Sequence, residues 1–248
     1  MSTLSRTVTL VAVATAAIIA AGFAAGGFFV GRGILDARLA QRSVTVKGVA
    51  EQAVGADLAT FPLRVTLTAG DIAEGERRLS AQVTTIGDFL QGAGFGLDEI
   101  SRQRLEVQDL MAQPYRSERL DPAARYILAQ TILVRSTKID VVEGLSRNMG
   151  ELVRQGIVFA DQGGPVYSLT AERLNQIKPE LIRQATAAAR AAAAEFAASS
   201  GSRVGAIRTA NQGVIVILPR DESATVAERH SVAKRVRAVT TIDYGLRD

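Results

Sequence analysis

The sequence predicts an α+β fold, with one N-terminal transmembrane helix and a two-lobed domain in which antiparallel or mixed sheets carry helices on one face. An uncharged apolar run near the N-terminus predicts the transmembrane helix. Beyond it, segments of period two alternate with segments of helical period, which predicts interleaved strands and helices. The strands are polar at alternate positions, which favours antiparallel or mixed pairing. The predicted parts are a short tail (1–7), the helix (8–30), a polar stalk (31–42) and the domain (43–248).

Residues 8–30 contain no charged side chain. At about 1.5 Å per residue they are long enough to cross a hydrocarbon core of about 30 Å, so we expect the lipid bilayer to be their partner. The alternative is a cleaved signal peptide, whose apolar core usually has about 7–15 residues and ends at a small-residue cleavage site. Residues 14–16 fit such a site but lie inside the run, and the apolar sequence continues through residues 28–30. A retained single-pass anchor is therefore favoured.

The charges around this run leave its orientation open. Arg6 precedes the run, whereas Arg32, Arg38 and Arg42 follow it. By the positive-inside rule this pattern keeps the C-terminal side in the cytoplasm, but the difference is small and long domains can translocate despite nearby charge.

The net charge of +4 does not indicate a nucleic-acid-binding protein. The 29 basic and 25 acidic residues become 25 and 24 once the four arginines and one aspartate that flank the apolar run are removed. The domain also lacks a long run of Lys and Arg, so we expect no nucleic-acid partner. The chain has no cysteine, which excludes disulfides, thiolate metal sites and cysteine nucleophiles.

Local patterns predict most elements of the domain. Apolar and polar residues alternate over 61–67, and Pro62 places that strand at an edge or a bulge because proline cannot donate to a ladder. Asp71 is suited to cap the following helix, with Glu74 at the capping-box position. Other predicted strands are 44–49, 104–111, 126–134 (central), 158–169 (interrupted at 163–165), 204–210, 214–218 and 236–244. The remaining predictions are a helix over 140–155, a loop over 113–123 and a charged loop over 219–234.

An alanine-rich stretch predicts one long helix that closes at residues 199–201. Pro179 suits the first turn of such a helix. Its predicted inner stripe consists of Leu181, Ala185, Ala188, Ala192 and Phe196.

Two polar pairs are the candidate ligand or subunit contacts. Asn211 and Gln212 precede Gly213, and the simpler interpretation of this tripeptide is a turn between two strands. Arg235 and Arg237 lie on one face of the last predicted strand, where they can pair with acids of a neighbouring strand or chain.

The sequence does not assemble a catalytic or metal-binding motif. His230, the single histidine, lies in a polar stretch and is expected to be a solvated loop residue. The glycines at 92, 94 and 96 follow a predicted helix, whereas a dinucleotide fingerprint precedes one. Glu51 and Asp57 can be interpreted as an acid–base pair, but surface carboxylates are the favoured interpretation. We therefore assign no catalytic, cofactor-binding or metal residue and expect a protein that is not an enzyme.

Several local patterns occur in an order that resembles the bacterial SIMPL-domain family. They begin with Val46-Lys47-Gly48 and continue through Arg125-Tyr126. The strongest block covers residues 174–180 and extends through the alanine-rich helix to residues 205–213. Arg235-Val236-Arg237 and the residues up to Tyr244 complete the resemblance, which covers nearly everything after Ser43.

The resemblance implies an anchored or exported envelope protein, here in the bacterial inner membrane with its C-terminal domain in the periplasm. The family has no established catalytic residues, some relatives are implicated in stress tolerance, and some are thought to assemble into large rings. We therefore expect a non-enzymatic envelope protein that forms homo-oligomers and has a stress-related role. The alternative is a periplasmic binding module for a small molecule or peptide, which requires a concave pocket lined mainly by apolar groups.

Overall fold

The computed structural model describes residues 3–39, 42–112, 121–160, 163–221 and 227–247. These ranges contain five α-helices and ten strands. The helices are α1 (Thr3–Leu39), α2 (Ile72–Gly92), α3 (Ile139–Asn148), α4 (Gly150–Arg154) and α5 (Ala171–Ser199). The strands are β1 (Ser43–Gly55), β2 (Leu58–Ala69), β3 (Ile100–Arg102), β4 (Glu106–Asp109), β5 (Tyr126–Ser136), β6 (Phe159–Ala160), β7 (Val166–Ser168), β8 (Arg203–Gln212), β9 (Val216–Pro219) and β10 (Ala233–Arg247).

The chain divides into two compact units, which confirms the predicted two-lobed α+β class. The first unit consists of Met1–Ala50, Ile182–Val214 and Ala238–Asp248, and the second of Glu51–Leu181 and Ile215–Arg237. Both sheets are antiparallel. Because β1, α5 and β10 each contribute to both units, neither unit is one continuous stretch of chain.

The sheet of the second unit has the order β3-β5-β2-β6, with β4 also paired to β5 and β7 to β2. Its centre is the β2–β5 pair, in register from Ala59 opposite Ser136 to Ala69 opposite Tyr126. Alternate β2 residues face a core that also contains side chains of α2, α3 and α4, so these helices cover one face of the sheet as predicted. The core residues of this face are Ala59, Phe61, Leu63, Val65, Leu79, Val83, Ile86, Leu90, Val142, Leu145 and Leu152.

The strand that contains Pro62 lies inside the sheet and has no bulge, so the predicted edge or bulged strand is wrong, although Pro62 itself lies beside a gap in the pairing. On one side β2 pairs with β5 from residue 59 to 69, and on the other β7 pairs with 58–60 and β6 with 64–65. Pro62 therefore falls in the gap between β6 and β7, where the described residues form no ladder that would need its missing N–H.

The start of α2 is also confirmed, because Asp71 Oδ1 accepts a hydrogen bond of 2.9 Å from the backbone N–H of Glu74. The helix predicted over 140–155 is instead two helices, α3 and α4, which are separated at Met149. Gly150 follows that break, and glycine weakens a helix interior by about 1 kcal/mol relative to alanine.

In the first unit, α5 packs through a row of alanines on β1 and β10. Ala189 and Ala193 share a cluster with Val44, Ile242 and Tyr244. The predicted inner stripe is wrong beyond Ala185, because the buried residues continue in steps of four through Ala189, Ala193 and Ala197. Phe196 is 54 % exposed. A large side chain does not fit where the helix and strand backbones approach as closely as they do here.

The start of α5 lies eight residues before the predicted one. Thr170 precedes the first turn, and its Oγ1 accepts a hydrogen bond from the N–H of Arg173 at 3.2 Å. Asp57 accepts hydrogen bonds from the Thr170 N–H at 2.7 Å and the Thr170 hydroxyl at 2.5 Å. Pro179 consequently lies inside the helix, and the prediction that it begins the helix is wrong. The capping contact with Asp57 joins residues 113 positions apart, so no local pattern could indicate it.

Helix α1 contains the predicted apolar run. Residues Thr15–Ile34 form a 20-residue segment with a mean hydropathy of 1.6 and none of it buried, which is long and apolar enough to cross a membrane. A signal sequence near an N-terminus meets the same criterion. The helix continues through residues 31–39 of the predicted stalk. Residues 1–2 of the predicted tail, 40–41 of the stalk, 113–120 of the predicted loop and 222–226 of the charged loop lie outside the described residues.

Candidate functional site

Asn211 and Gln212 lie at the end of β8 and not in a turn. Their Cα partners on β10 are Thr241 and Thr240, and both side chains are exposed. Gly213 follows them, and its N–H donates to the carbonyl oxygen of Val239 at 2.8 Å. A Cβ at this glycine would lie 2.9 Å from the same oxygen. The predicted turn is therefore wrong, and the glycine is explained by the close approach of β10.

Arg235 and Arg237 converge on one carboxylate of the same chain. The Nε of Arg237 donates to Oε1 of Glu51, and Nη1 of Arg235 lies 3.3 Å from Oε2. These side chains come from the neighbouring strands β1 and β10, which is the pairing that the sequence allowed within one chain. Their use as a contact for a second subunit stays a prediction.

Glu51 and Asp57 have separate structural roles. Both carboxylate oxygens of Glu51 face arginines, whereas those of Asp57 bind Thr170 ahead of α5. In the described part of the chain, no group of three or more His, Cys, Asp or Glu side chains has an arrangement that would hold a metal ion.

His230 is half-buried, so the expectation of a solvated loop residue is wrong. Its Nδ1 lies 2.8 Å from the carbonyl oxygen of Pro165, and its Nε2 accepts a hydrogen bond of 3.0 Å from Nε of Arg229. Because Nε2 is the acceptor, Nδ1 carries the proton in a neutral ring. The histidine therefore joins a 3-10 turn, Glu228–His230, to the segment ahead of β7.

Lys234 is fully buried, which the sequence analysis did not foresee. Its ammonium donates to the backbone carbonyl of Glu228 at 2.9 Å and to Oε1 of the same residue. The signal was present, because alternate residues of β10 from Lys234 to Tyr244 are all buried. Extending the period of two back from Val236 would have placed Lys234 on the inner face.

A second cluster that the sequence analysis missed contains Glu99, Ser136 and Lys138. Glu99 accepts hydrogen bonds from the Ser136 hydroxyl at 2.5 Å, from Lys138 Nζ at 2.7 Å and from the Gly96 N–H at 2.8 Å. The bonds from Lys138, Ser136 and Gly96 lower the pKa of Glu99 from 4.5 to about 2. The cluster borders an open cleft of about 570 Å³ whose lining residues also include Arg135 and Thr170.

Replacing Glu99 with glutamine is expected to lower the free energy of unfolding at pH 7 by about 2 kcal/mol, because the charged acceptor is lost. The folded pKa lies below the unfolded one, so this contribution is complete above pH 4.5 and is lost as the pH falls towards 2. Chemical denaturation from pH 7 to pH 3 should show the wild-type and Glu99→Gln curves converging. Asp98→Asn is the control, with an expected change within about 0.5 kcal/mol. A difference in the free energy of unfolding that stays constant from pH 7 to pH 3 would contradict a lowered pKa of Glu99.

A smaller cleft, of about 320 Å³, has an apolar lining beside the gap in the second unit's sheet. Phe61, Leu63, Met149, Val153 and Phe159 form most of its wall. This is the kind of concavity that the binding-module alternative requires.

The most exposed strand of the first unit is β8. It ends the sheet order β1-β10-β8, and no described strand pairs with its outer edge. Ile207 on β8 is 53 % exposed and Val214, just beyond β8, is 81 % exposed. Unpaired strand edges with apolar neighbours are sites for pairing with another chain.

The fold and these surfaces define an α+β domain that follows an apolar helix, with an open strand edge and charged side chains that mainly join its own elements. The family described as SIMPL, protein of unknown function (DUF541), matches residues 44–244. The chain belongs to this family, which confirms the resemblance given above. The comparison with curated proteins gives no match.

Proposed function

We propose that this SIMPL protein is a non-enzymatic component of the bacterial envelope that is anchored by its N-terminal helix and self-associates through its domain. The open edge of β8 is the observation that carries self-association. The stress-related role that the family resemblance implies would then be a structural one.

The anchor is supported by the character of α1. Its 20-residue apolar segment would span about 30 Å, and none of it is buried against the protein. Phe28 and Phe29 lie near one end, and the guanidinium of Arg32 lies 5.8 Å from the Phe28 ring centroid. Aromatic and basic residues at the end of an apolar helix suit a membrane interface.

The anchor can be tested on the full-length chain in bacterial membranes. We expect the protein to remain in the pellet after alkaline carbonate extraction, with an intact mass that includes residues 1–42. Protease added to spheroplasts should degrade the domain if it lies in the periplasm. Release by carbonate, or a mass that lacks the N-terminal residues, would contradict a retained anchor, and protection from the protease would contradict the orientation.

Self-association is supported by the absence from β8 of the features that usually block the edge of a sheet. A long edge strand is usually blocked by proline, by a covering element or by inward-pointing charge. β8 has no proline, and along its last residues Asn211 and Gln212 offer uncharged amides. Pairing of β8 with another copy would satisfy its outer backbone groups and cover Ile207.

Ile207→Lys is expected to convert a self-associated full-length protein to monomers, because it puts a charge into the contact. Light scattering in mild detergent, corrected for bound detergent, gives the mass. Val158→Lys is the matched control, since Val158 is an exposed apolar residue (64 %) in the second unit. A monomeric wild type, or equal masses for all three proteins, would refute assembly through β8.

The apolar cleft supports the alternative, a binding module for a small molecule or peptide. The observation in its favour is the lining by Phe61, Phe159 and Val153, the last of which is 56 % exposed. Native mass spectrometry of full-length protein should then detect a bound apolar compound that Val153→Glu removes. A chain that carries no such compound, or keeps it in this variant, would count against this alternative.

A further inference from the structure

Three arginines of the first unit gather where the chain leaves α1. Arg42 follows the helix after two residues, Arg203 begins β8 and Arg247 ends β10. We refer to Arg42, Arg203 and Arg247 as the arginine rim. All three side chains belong to exposed residues.

Hydrogen bonds and strand register hold the rim together. The carbonyl oxygen of Arg42 accepts from the N–H of Leu246 at 2.9 Å, and Arg42 Nη2 donates to the Ser202 hydroxyl at 3.2 Å. Arg203 and Arg247 are Cα partners in the β8–β10 ladder. Leu246 and Ser202 directly precede Arg247 and Arg203, so Arg42 lies beside both of these arginines, which in turn face each other across the ladder.

The facing pair Arg203 and Arg247 is electrostatically unfavourable without an anion. Like charges directly opposite each other on neighbouring strands destabilise a sheet. No ion pair joins Arg203 or Arg247 to an acid among the described residues, although Asp248, which follows Arg247, lies outside them. The planar, multi-donor guanidinium is suited to bind phosphate oxygens in pairs.

The covalent chain limits how far the rim can lie from a membrane that holds α1. Residues 35–39 extend the helix by about 7.5 Å beyond the apolar segment. Three Cα–Cα steps from Leu39 to Arg42 add at most about 11 Å. Since the headgroup layer accounts for about 5–8 Å of this path, Arg42 stays within about two Debye lengths of the lipid phosphates. Arg203 and Arg247 each follow a residue that is hydrogen-bonded to Arg42, so they lie close to the same level.

The net charge of the whole first unit also favours contact with anionic lipid. That unit contains 10 of the 29 basic residues and 4 of the 25 acidic ones. Arg6 precedes the membrane-crossing segment and would lie across the bilayer from the rim, so the remaining net charge of the first unit is +5, against −2 for the second unit. A unit with this excess of cations beside a membrane is attracted to anionic lipid.

We propose that the arginine rim binds the phosphate groups of anionic lipids around the anchor and so holds the first unit at the bilayer surface. This inference rests on the proposed anchor, because the anchor is what brings the rim to the lipid. It adds a specific lipid class as a partner, independently of whether β8 self-associates.

The test uses full-length protein purified in mild detergent with an equimolar mixture of phosphatidylcholine and phosphatidylglycerol. The lipids that co-purify are quantified by mass spectrometry. For the wild type at low salt, we expect the phosphatidylglycerol to phosphatidylcholine ratio to rise about threefold over the input and to return to it at high salt. Arg203→Gln combined with Arg247→Gln should abolish the enrichment. Arg203→Lys with Arg247→Lys keeps the charge and should retain most of it.

The matched control is Arg77→Gln with Arg78→Gln, which removes the same charge from exposed positions on α2 and should leave the enrichment unchanged. Enrichment that is absent in the wild type, insensitive to salt or equal in the rim and control variants would overturn the inference while leaving the anchor intact. Release of the wild type by carbonate would overturn the anchor and the inference together. If the glutamine variant does not fold, as shown by the loss of its thermal transition, the inference is tested with the wild type and the lysine variant alone. Both should show lipid enrichment that is lost at high salt, and enrichment that is insensitive to salt would overturn the inference.

Discussion

Gly48→Val is expected to lower the free energy of unfolding by more than about 3 kcal/mol, the largest effect of any single substitution considered. A Cβ at this position would lie 1.9 Å from the carbonyl oxygen of Ala185 and 2.5 Å from the backbone nitrogen of Ala189. Both contacts are with helix backbone, which cannot turn aside as a flexible side chain does. The helix or the strand must therefore shift, and the alanine row of α5 loses its packing.

The measurement is chemical denaturation of the full-length protein in mild detergent, followed by circular dichroism. Gly55→Val is the matched control, because Gly55 lies on the same strand and a Cβ there meets nothing within 4 Å. Valine also suits a strand, so this control should be neutral or slightly stabilising. Equal stability of the two variants would show that α5 does not approach β1 as closely as described.

Glu228→Ala is expected to destabilise the protein by about 2–4 kcal/mol, because it leaves the fully buried ammonium of Lys234 without its carboxylate partner. The backbone carbonyl of Glu228 still accepts one hydrogen bond, which keeps the loss below that of a completely isolated charge. Removing both charges, with Glu228→Ala and Lys234→Met, should recover much of the stability, since an apolar side chain of similar volume suits a buried site.

A double-mutant cycle over these two positions measures their coupling, and thermal unfolding supplies the stability of each variant. Asp221→Asn is the control, because Asp221 pairs with Arg220 at 3.2 Å but both side chains are well exposed. Its expected effect is below about 1 kcal/mol. Additive effects of the Glu228 and Lys234 substitutions would contradict coupling between the buried ammonium and this partly exposed carboxylate.

Elements whose signals are local were predictable. Asp71 caps α2 through an atom three residues away, and the alternation of β2 depends only on neighbouring residues of the strand. Pro62 needs a position without a ladder partner for the same reason, but the gap between β6 and β7 supplies that position within an internal strand, which the sequence could not show. The central position of β5 followed from a run that is apolar on both faces.

Predictions failed where a distant segment decided the outcome. Pro179 is a good first-turn residue, but α5 begins earlier because Asp57 and Thr170 meet at its start. The buried stripe of α5 follows the alanines because Gly48 allows the helix backbone to come close. Asn211 and Gln212 have turn-like composition, yet the length of β10 extends the ladder through both of them.

In the candidate site, too, local features were predictable from the sequence, whereas contacts between distant residues were not. The sequence indicated that Arg235 and Arg237 lie on one strand face and need an acid, but it did not identify Glu51 as that acid. It contained no signal for the Glu99, Ser136 and Lys138 cluster, in which Glu99 lies just before β3 and the other two residues lie where β5 leads into α3. The arginine rim likewise depends on strand register, which brings residues 203 and 247 opposite each other.

By itself, the sequence determined the apolar helix, the α+β class, the family and the short-range caps and alternations, because hydropathy and backbone preference act between near neighbours. Only the tertiary structure decided which strand edge stays open, which lysine is buried and which charges meet. Those features depend on contacts between residues far apart in the chain, and their energies are set by the packing and burial that arise once the sheets have formed.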